Sequence, residues 1–143
     1  MKRIILFITV FAIVFVFTGC RSKEVIKKDI FKLVEENYDT ILTACKNKDA
    51  DALYAIDGIE KVNIVEGYIL VYCEGHGIAP SSQDYGFYYS EDNQIVGITY
   101  GMGIGCQKQE MAPEGNGYGG TTGGVTYYTE HIEGNIYFYR NNT

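Results

Sequence analysis

The period of the apolar residues changes near Glu60, and this change restricts the fold more than any other feature of the sequence. Before Glu60, apolar residues recur on one half of a helical wheel, whereas after it they alternate with polar residues to the end of the chain. Helices followed only by alternating strands are typical of α+β domains with an antiparallel sheet. We therefore expect an α+β fold in which a helix packs on one face of an antiparallel meander of about five or six strands.

One amphipathic helix is predicted over residues 23–46, with Ser22 as its N-cap. Its polar half mixes Lys with Glu and Asp, which favours packing on the sheet over lying on a membrane surface. Asn37 lies among the apolar residues and needs a hydrogen-bond partner if it is buried. A short second helix is expected over residues 50–56, with Asp49 as its cap.

Three hairpins are predicted from the alternating segments and the turn residues between them. They join residues 62–65 to 68–73, residues 85–90 to 95–100, and residues 125–132 to 136–140. Residues 74–84 and the glycine-rich residues 101–124 show no such pattern, so we expect both segments to be irregular. Loops as long as the second one are usually functional or mobile.

The first nineteen residues have the pattern of a secretory signal peptide. Lys2 and Arg3 form a positive start, and residues 4–17 are largely apolar. At about 1.5 Å per residue, that run reaches about 21 Å, which is shorter than the roughly 30 Å hydrocarbon core of a bilayer. A removable signal is therefore favoured over a permanent membrane span.

The end of this segment, Phe17-Thr18-Gly19-Cys20, resembles the lipobox of bacterial lipoproteins, although those proteins more often have Leu where Phe17 stands. The resemblance implies cleavage after Gly19 and attachment of a diacylglycerol, a palmitate-type lipid, to the thiol of Cys20. Two acyl chains, at about 0.8 kcal/mol per buried methylene, hold a protein stably on a bilayer. Residues 20–143 would then be a single domain tethered to the outer side of the cell membrane. An uncleaved signal anchor is the alternative, and it places the domain on the same side.

A second resemblance lies in the middle of the chain, where Cys73-Glu74-Gly75-His76-Gly77 precedes Tyr85-Gly86-Phe87-Tyr88-Tyr89-Ser90. This arrangement is similar to that of a group of small secreted or lipid-anchored proteins of Gram-positive bacteria. The resemblance covers residues 67–93. It implies a secreted protein and no particular activity.

The charge of the chain restricts its partners. It has 12 Lys and Arg against 18 Asp and Glu, a formal net charge of −6, which becomes more negative once Lys2 and Arg3 are removed. An acidic surface argues against nucleic acid and against electrostatic adhesion to anionic lipid. Apart from the membrane that holds its anchor, the expected partner is a neutral or basic envelope protein, peptide or glycan.

Three cysteines remain if Cys20 carries lipid, so at most one disulfide forms within the chain. They are Cys45, Cys73 and Cys106. The favoured use is a Cys73–Cys106 bridge closing a loop of about 34 residues, with unpaired thiols as the alternative. The alternative function is a thiol-dependent enzyme or hydrolase that uses Cys73 with His76 or His131.

No metal or other cofactor is expected. Cys73, His76, Cys106 and His131 are the residue types that bind zinc, but only one pair of them is closely spaced. Residues 115–120 fit the GxGxxG pattern, yet the segment that follows is predicted to be a strand. A dinucleotide site needs a helix there, whose N-terminal amides meet the pyrophosphate.

The chain has 13 Tyr and no Trp, and strand alternation divides the tyrosines between the two sheet faces. If the helix covers the Ile, Val and Phe side, an outer face is expected that displays Tyr88, Tyr128, Tyr137 and Tyr139. Such a face can bind peptide or sugar, although Tyr also simply suits half-exposed strands. The sequence thus predicts a non-catalytic binding or interaction module, with an envelope structural or immunity protein as a further alternative.

Overall fold

The computed structural model describes residues 21–78 and 81–143, so the predicted signal peptide and Cys20 lie outside the described residues. The fold is α+β, as expected. In the described part of the chain the helices are α1 (Lys23–Glu36), α2 (Tyr38–Asn47) and α3 (Ala50–Tyr54). The strands are β1 (Lys61–Val65), β2 (Tyr68–Ile78), β3 (Ser81–Ser90), β4 (Val96–Ile98), β5 (Ile104–Gln107), β6 (Ala112–Glu114), β7 (Gly117–Thr122), β8 (Val125–Glu133) and β9 (Ile136–Asn142).

The predicted single helix is interrupted at Asn37, which separates α1 from α2. Asn37 has φ −118° and ψ 17°, and its side-chain amide donates to the Leu33 carbonyl at 2.9 Å. Asn side chains compete for backbone groups in this way and so favour helix ends. The hydrogen-bond partner expected for Asn37 is therefore present, but the expected continuous helix is wrong. None of the helices within residues 21–78 and 81–143 is long and apolar enough to cross a membrane.

Both helix caps predicted from the sequence are present. The Ser22 hydroxyl accepts a hydrogen bond from the Val25 N–H at 3.3 Å, and the Asp49 carboxylate accepts one from the Ala52 N–H at 3.0 Å. Each cap satisfies a backbone donor that has no partner in the first turn of a helix. The short helix α3 ends at Tyr54, slightly earlier than predicted.

The main sheet has seven strands in the order β1-β2-β3-β9-β8-β7-β6, and every neighbouring pair is antiparallel. It consists of two meanders, β1 to β3 and β6 to β9, joined where β3 pairs with β9. At this junction Phe87 lies opposite Phe138. The expected single meander of five or six strands is therefore corrected to two meanders joined side by side.

The second predicted hairpin does not form, because β3 pairs with β2 on one side and with β9 on the other. Instead, β4 pairs with β5 in a separate two-stranded sheet. Both segments expected to be irregular also contain strands. Residues 74–84 include the end of β2 and the beginning of β3. Residues 101–124 include β5, β6, β7 and a 3-10 turn, Lys108–Glu110.

Both faces of the main sheet are covered. On one face the helices form a core with the sheet, which includes Ile26, Ile30, Val34, Ile41, Leu53, Ile69, Val71, Phe87, Ile136 and Phe138. On the other face the β4–β5 hairpin and its loop bury a second cluster, made of Leu70, Tyr88, Val96, Ile98, Met102, Tyr137 and Tyr139. The sheet therefore has a covering layer on each side, whereas the sequence predicted one.

Candidate functional site

A groove of about 760 Å³ opens where α3, the first three strands and the loop between β4 and β5 meet. We call it the β1 groove. The side chains that give it its chemistry are Tyr54, Glu60, Lys61, Tyr72, Asp84 and Tyr100. Carboxylates and phenols thus dominate the lining, with one Lys among them.

Two hydrogen bonds hold the rims of the β1 groove in place. The Asn63 side-chain amide donates to the Met102 carbonyl at 2.7 Å, which ties the β4–β5 loop to β1. The Tyr54 hydroxyl accepts from the Val62 N–H at 3.1 Å, which ties the end of α3 to the same strand. Tyr54 and Tyr100 are 48% and 61% exposed, so both rings remain available to a ligand.

Asp84 is the buried carboxylate of this groove, only 5% exposed. It lies on β3 directly opposite Asn141 of β9. Desolvation raises the pKa of Asp84 above its usual value, while the neighbouring Asn141 side-chain amide and the charge of Lys61 act in the opposite direction. A buried ionisable group whose pKa is shifted in this way, at the wall of a concave site, is typical of functional sites.

Glycines allow tyrosine rings to lie close to Asp84. A Cβ added to Gly75 would lie 2.3 Å from the Tyr72 hydroxyl and 3.1 Å from Oδ1 of Asp84, so both polar groups converge on this glycine. A Cβ on Gly86 would lie 2.8 Å from the ring of Tyr139. Larger side chains at either position would displace this arrangement.

Two buried polar atoms beside Asp84 have no hydrogen-bond partner within the described residues, the Tyr139 hydroxyl and Oδ1 of Asn141. The Asn141 amide nitrogen donates to the Ile98 carbonyl at 2.9 Å, and this bond fixes the orientation of the amide. Desolvation raises the pKa of Tyr139 well above its usual value, and the charge of Asp84 adds to this effect. Buried polar groups in native proteins nearly always have a partner, so these two atoms are exceptions, although neither Tyr139 nor Asn141 lines the β1 groove.

The tyrosines predicted to form an exposed binding face are all buried, which corrects that expectation. Tyr88, Tyr137 and Tyr139 do share the face opposite to the helices, as the alternation predicts, but the β4–β5 hairpin covers them. Tyr128 lies instead in the core on the helix side. The physical reason is the second covering layer, which shields the face that the sequence analysis left open to solvent.

The described cysteines, Cys45, Cys73 and Cys106, are free and buried, so the Cys73–Cys106 disulfide is not formed in this structure. Cys73 belongs to the helix-side core, whereas Cys106 packs with Met111 and Tyr127 in a separate cluster. Desolvation raises the pKa of Cys45 and of Cys73 to about 12. Thiols in such surroundings are poor nucleophiles, because the thiolate is the reactive form.

The two histidines proposed as bases have other partners. Nε2 of His76 lies 2.8 Å from Oε1 of Glu74, and Nε2 of His131 lies 2.8 Å from the Gly134 carbonyl oxygen.

Across residues 21–78 and 81–143, no group of three or more His, Cys, Asp or Glu side chains is arranged to hold a metal ion. Residues 115–120 form the turn between β6 and β7 and part of β7, and the strand predicted after them is present as β8.

The groove residues were missed by the sequence analysis, although one signal was available. Ser82, Asp84, Gly86 and Tyr88 alternate along β3, which places Asp84 on the same face as the buried Tyr88. Residues 74–84 were expected to be irregular, so this inward position of a carboxylate went unrecognised. The contributions of Tyr54 and Tyr100 depend on contacts distant in sequence and leave no local signal.

No protein-family model, curated protein or solved structure is significantly similar to the chain. The class that the structure defines is thus an α+β domain with a seven-stranded antiparallel sheet and a tyrosine- and carboxylate-lined groove.

Proposed function

We propose that the protein is a lipid-anchored, extracytoplasmic, non-catalytic binding module that takes its ligand in the β1 groove. The observation that carries the proposal is the groove itself, in which exposed Tyr54 and Tyr100 flank the buried carboxylate of Asp84. Small-molecule sites are typically concave, rich in aromatic side chains and supplied with a few fixed polar groups. The β1 groove has each of these properties.

The alternative of a thiol enzyme is less well supported by the site geometry. The pKa of Cys73 is raised to about 12, first by desolvation and then by the charges of Glu60 and Glu74. A catalytic thiol needs the opposite environment, one that lowers its pKa. The residues around Cys73 therefore favour a role in the core.

The anchor is supported by the lipobox-like residues 17–20 and by the apolar run before them. The test is an intact mass of the full-length protein expressed in a Gram-positive host. We expect a chain that begins at Cys20 and carries the mass of a diacylglycerol. A Cys20→Ala variant serves as the matched control and should carry no lipid, whereas a wild-type chain that keeps Met1 and lacks lipid would contradict the anchor.

The groove is tested by site-specific photocrosslinking in the intact cell envelope. A photoreactive amino acid replaces Tyr100 in one full-length variant and Val25 in another, which is 45% exposed on α1 and lies outside the groove. We expect a discrete adduct from position 100 that is absent from position 25, and the same adduct when the probe is moved to Tyr54. Equal labelling at positions 100 and 25, or no adduct at positions 54 and 100, would contradict a ligand site in the β1 groove.

A further inference from the structure

We infer that the β1 groove binds an organic ammonium group and that Asp84 is its counter-ion. This inference rests on the proposed function of the groove and specifies the chemical class of the ligand. The ammonium could belong to a lysine side chain of a peptide or to a free polyamine, and both present the same group to the site.

The charge of the site favours a cation. Two carboxylates, Glu60 and Asp84, line the groove. Lys61 is the cation that lines the groove with them, and it is exposed, so solvent screens its effect on Asp84. An anionic ligand would meet the carboxylates with little compensation, whereas a cation would meet at least one carboxylate that is already desolvated.

The carboxylate oxygens that line the groove need hydrogen-bond donors. The Asp84 and Glu60 carboxylates can only accept when they are ionised. A primary ammonium carries three donors and no acceptor, whereas a neutral alcohol carries one donor. An ammonium therefore complements this set of oxygen atoms better than a neutral or anionic group does.

The aromatic rings of the groove suit the part of such a ligand that adjoins the ammonium group. The rings of Tyr54, Tyr72 and Tyr100 line the groove, and cations are attracted to the faces of aromatic rings. The methylene chain next to an ammonium is apolar and can pack on the same rings. The groove thus offers a charged end at Asp84 and aromatic walls toward its opening.

The test is isothermal titration calorimetry on the full-length lipidated protein in detergent micelles at fixed ionic strength. The probes are a capped tripeptide with a central Lys, spermidine, n-butylammonium, and n-butanol as the neutral analogue of n-butylammonium. We expect the ammonium probes to bind and n-butanol to bind much more weakly. Asp84→Asn, which keeps the size of the side chain, should weaken ammonium binding about ten- to hundredfold, because a hydrogen bond to a charged group is lost.

Asp57→Asn is the matched control, since Asp57 is an exposed carboxylate outside the β1 groove, and it should leave binding unchanged. Thermal unfolding of each variant verifies that it is folded. Tighter binding of the Lys tripeptide than of spermidine, or the reverse, identifies the source of the ammonium, and either result supports the inference.

Failure of every ammonium probe to bind, equal binding of n-butanol, or unchanged binding by Asp84→Asn would overturn the inference. None of those results would contradict the proposed function if the photocrosslinked adduct at position 100 still forms. Loss of that adduct would instead contradict the groove as a ligand site of any kind.

Discussion

The hydroxyl of Tyr88 accepts a hydrogen bond from the backbone N–H of Val96 at 3.1 Å, and it lies 3.1 Å from Oγ1 of Thr129. One buried tyrosine thus connects β3 with β4 of the small sheet and with β8 of the main sheet. Because all three residues are fully buried, these polar contacts are shielded from water. The β4–β5 hairpin is thereby fixed to the sheet, and its loop supplies one wall of the β1 groove.

Tyr88→Phe is expected to lower the free energy of unfolding by about 1–3 kcal/mol, because it leaves the buried N–H of Val96 without an acceptor. Urea denaturation monitored by circular dichroism measures this change. Tyr100→Phe is the matched control, since Tyr100 is 61% exposed, and it should change the free energy by less than about 0.5 kcal/mol. Equal stability of Tyr88→Phe and wild type would contradict the structural role given to this hydroxyl.

Lys27 on α1 forms an ion pair with Glu130 on β8, and the Tyr128 hydroxyl donates to the same carboxylate at 2.5 Å. Glu130 is only 7% exposed, so removing its cation leaves a buried charge unpaired. We expect Lys27→Met to lower the free energy of unfolding by about 3 kcal/mol. The added change Glu130→Gln should recover part of the loss, and chemical denaturation of both variants tests this.

The control for Lys27→Met is Lys32→Met, which removes a second lysine of α1. Lys32 pairs with Glu36 at 3.6 Å, but both side chains are well exposed. Solvent screens such pairs, so this variant should change the free energy of unfolding by less than about 0.5 kcal/mol. A similar loss in the two lysine variants would indicate that burial of Glu130 has no special effect.

The free thiols are expected to resist alkylation in the native protein. Desolvation raises the pKa of Cys45 and of Cys73 to about 12, and it also raises the pKa of Cys106, so little thiolate exists at pH 8. Mass spectrometry after iodoacetamide treatment without reductant should show these three cysteines unmodified in buffer and all three modified in denaturant. Rapid native alkylation of Cys73 would support the thiol enzyme, and two thiols that stay unmodified in denaturant would support the disulfide.

Asp84 is expected to make stability depend on pH in an unusual direction for a carboxylate. Its pKa in the folded state is raised by desolvation, so folding favours the protonated form. The stability that this proton provides is fully present below the unfolded-state pKa of about 3.9, and it is lost as the pH rises through the raised value. Wild type should therefore lose stability relative to an Asp84→Asn variant across that interval.

Asp84→Asn should accordingly be more stable than wild type at pH 7, with a difference that shrinks toward pH 3. Urea denaturation at several pH values measures the difference, with Asp57→Asn as an exposed control. An Asp84→Asn variant that is less stable than wild type at pH 7 would contradict the raised pKa of Asp84 in the folded protein. A variant that is more stable but binds ammonium more weakly would show the trade-off between stability and function that is expected of a functional residue.

The local features of the fold were predictable because they depend on neighbouring residues. Ser22 and Asp49 cap their helices through side-chain oxygens that accept from amides three positions further along the chain. Glu66-Gly67 makes the turn between β1 and β2, where Gly67 adopts a φ of +77° that favours glycine. Strand alternation likewise predicted that Tyr88 and Phe87 lie on opposite faces of the sheet, as they do.

The sequence by itself therefore determined the α+β class, the caps, two of the three predicted hairpins and which side chains share a face within each strand. Tertiary structure alone decided that β9 pairs with β3, that the β4–β5 hairpin covers the tyrosines, and that Asp84 lies beside Tyr72 and Asn141 at the groove. The physical reason is that strand pairing and layer packing join residues far apart in the chain. Alternation shows which side chains share a face, but it does not show what covers that face.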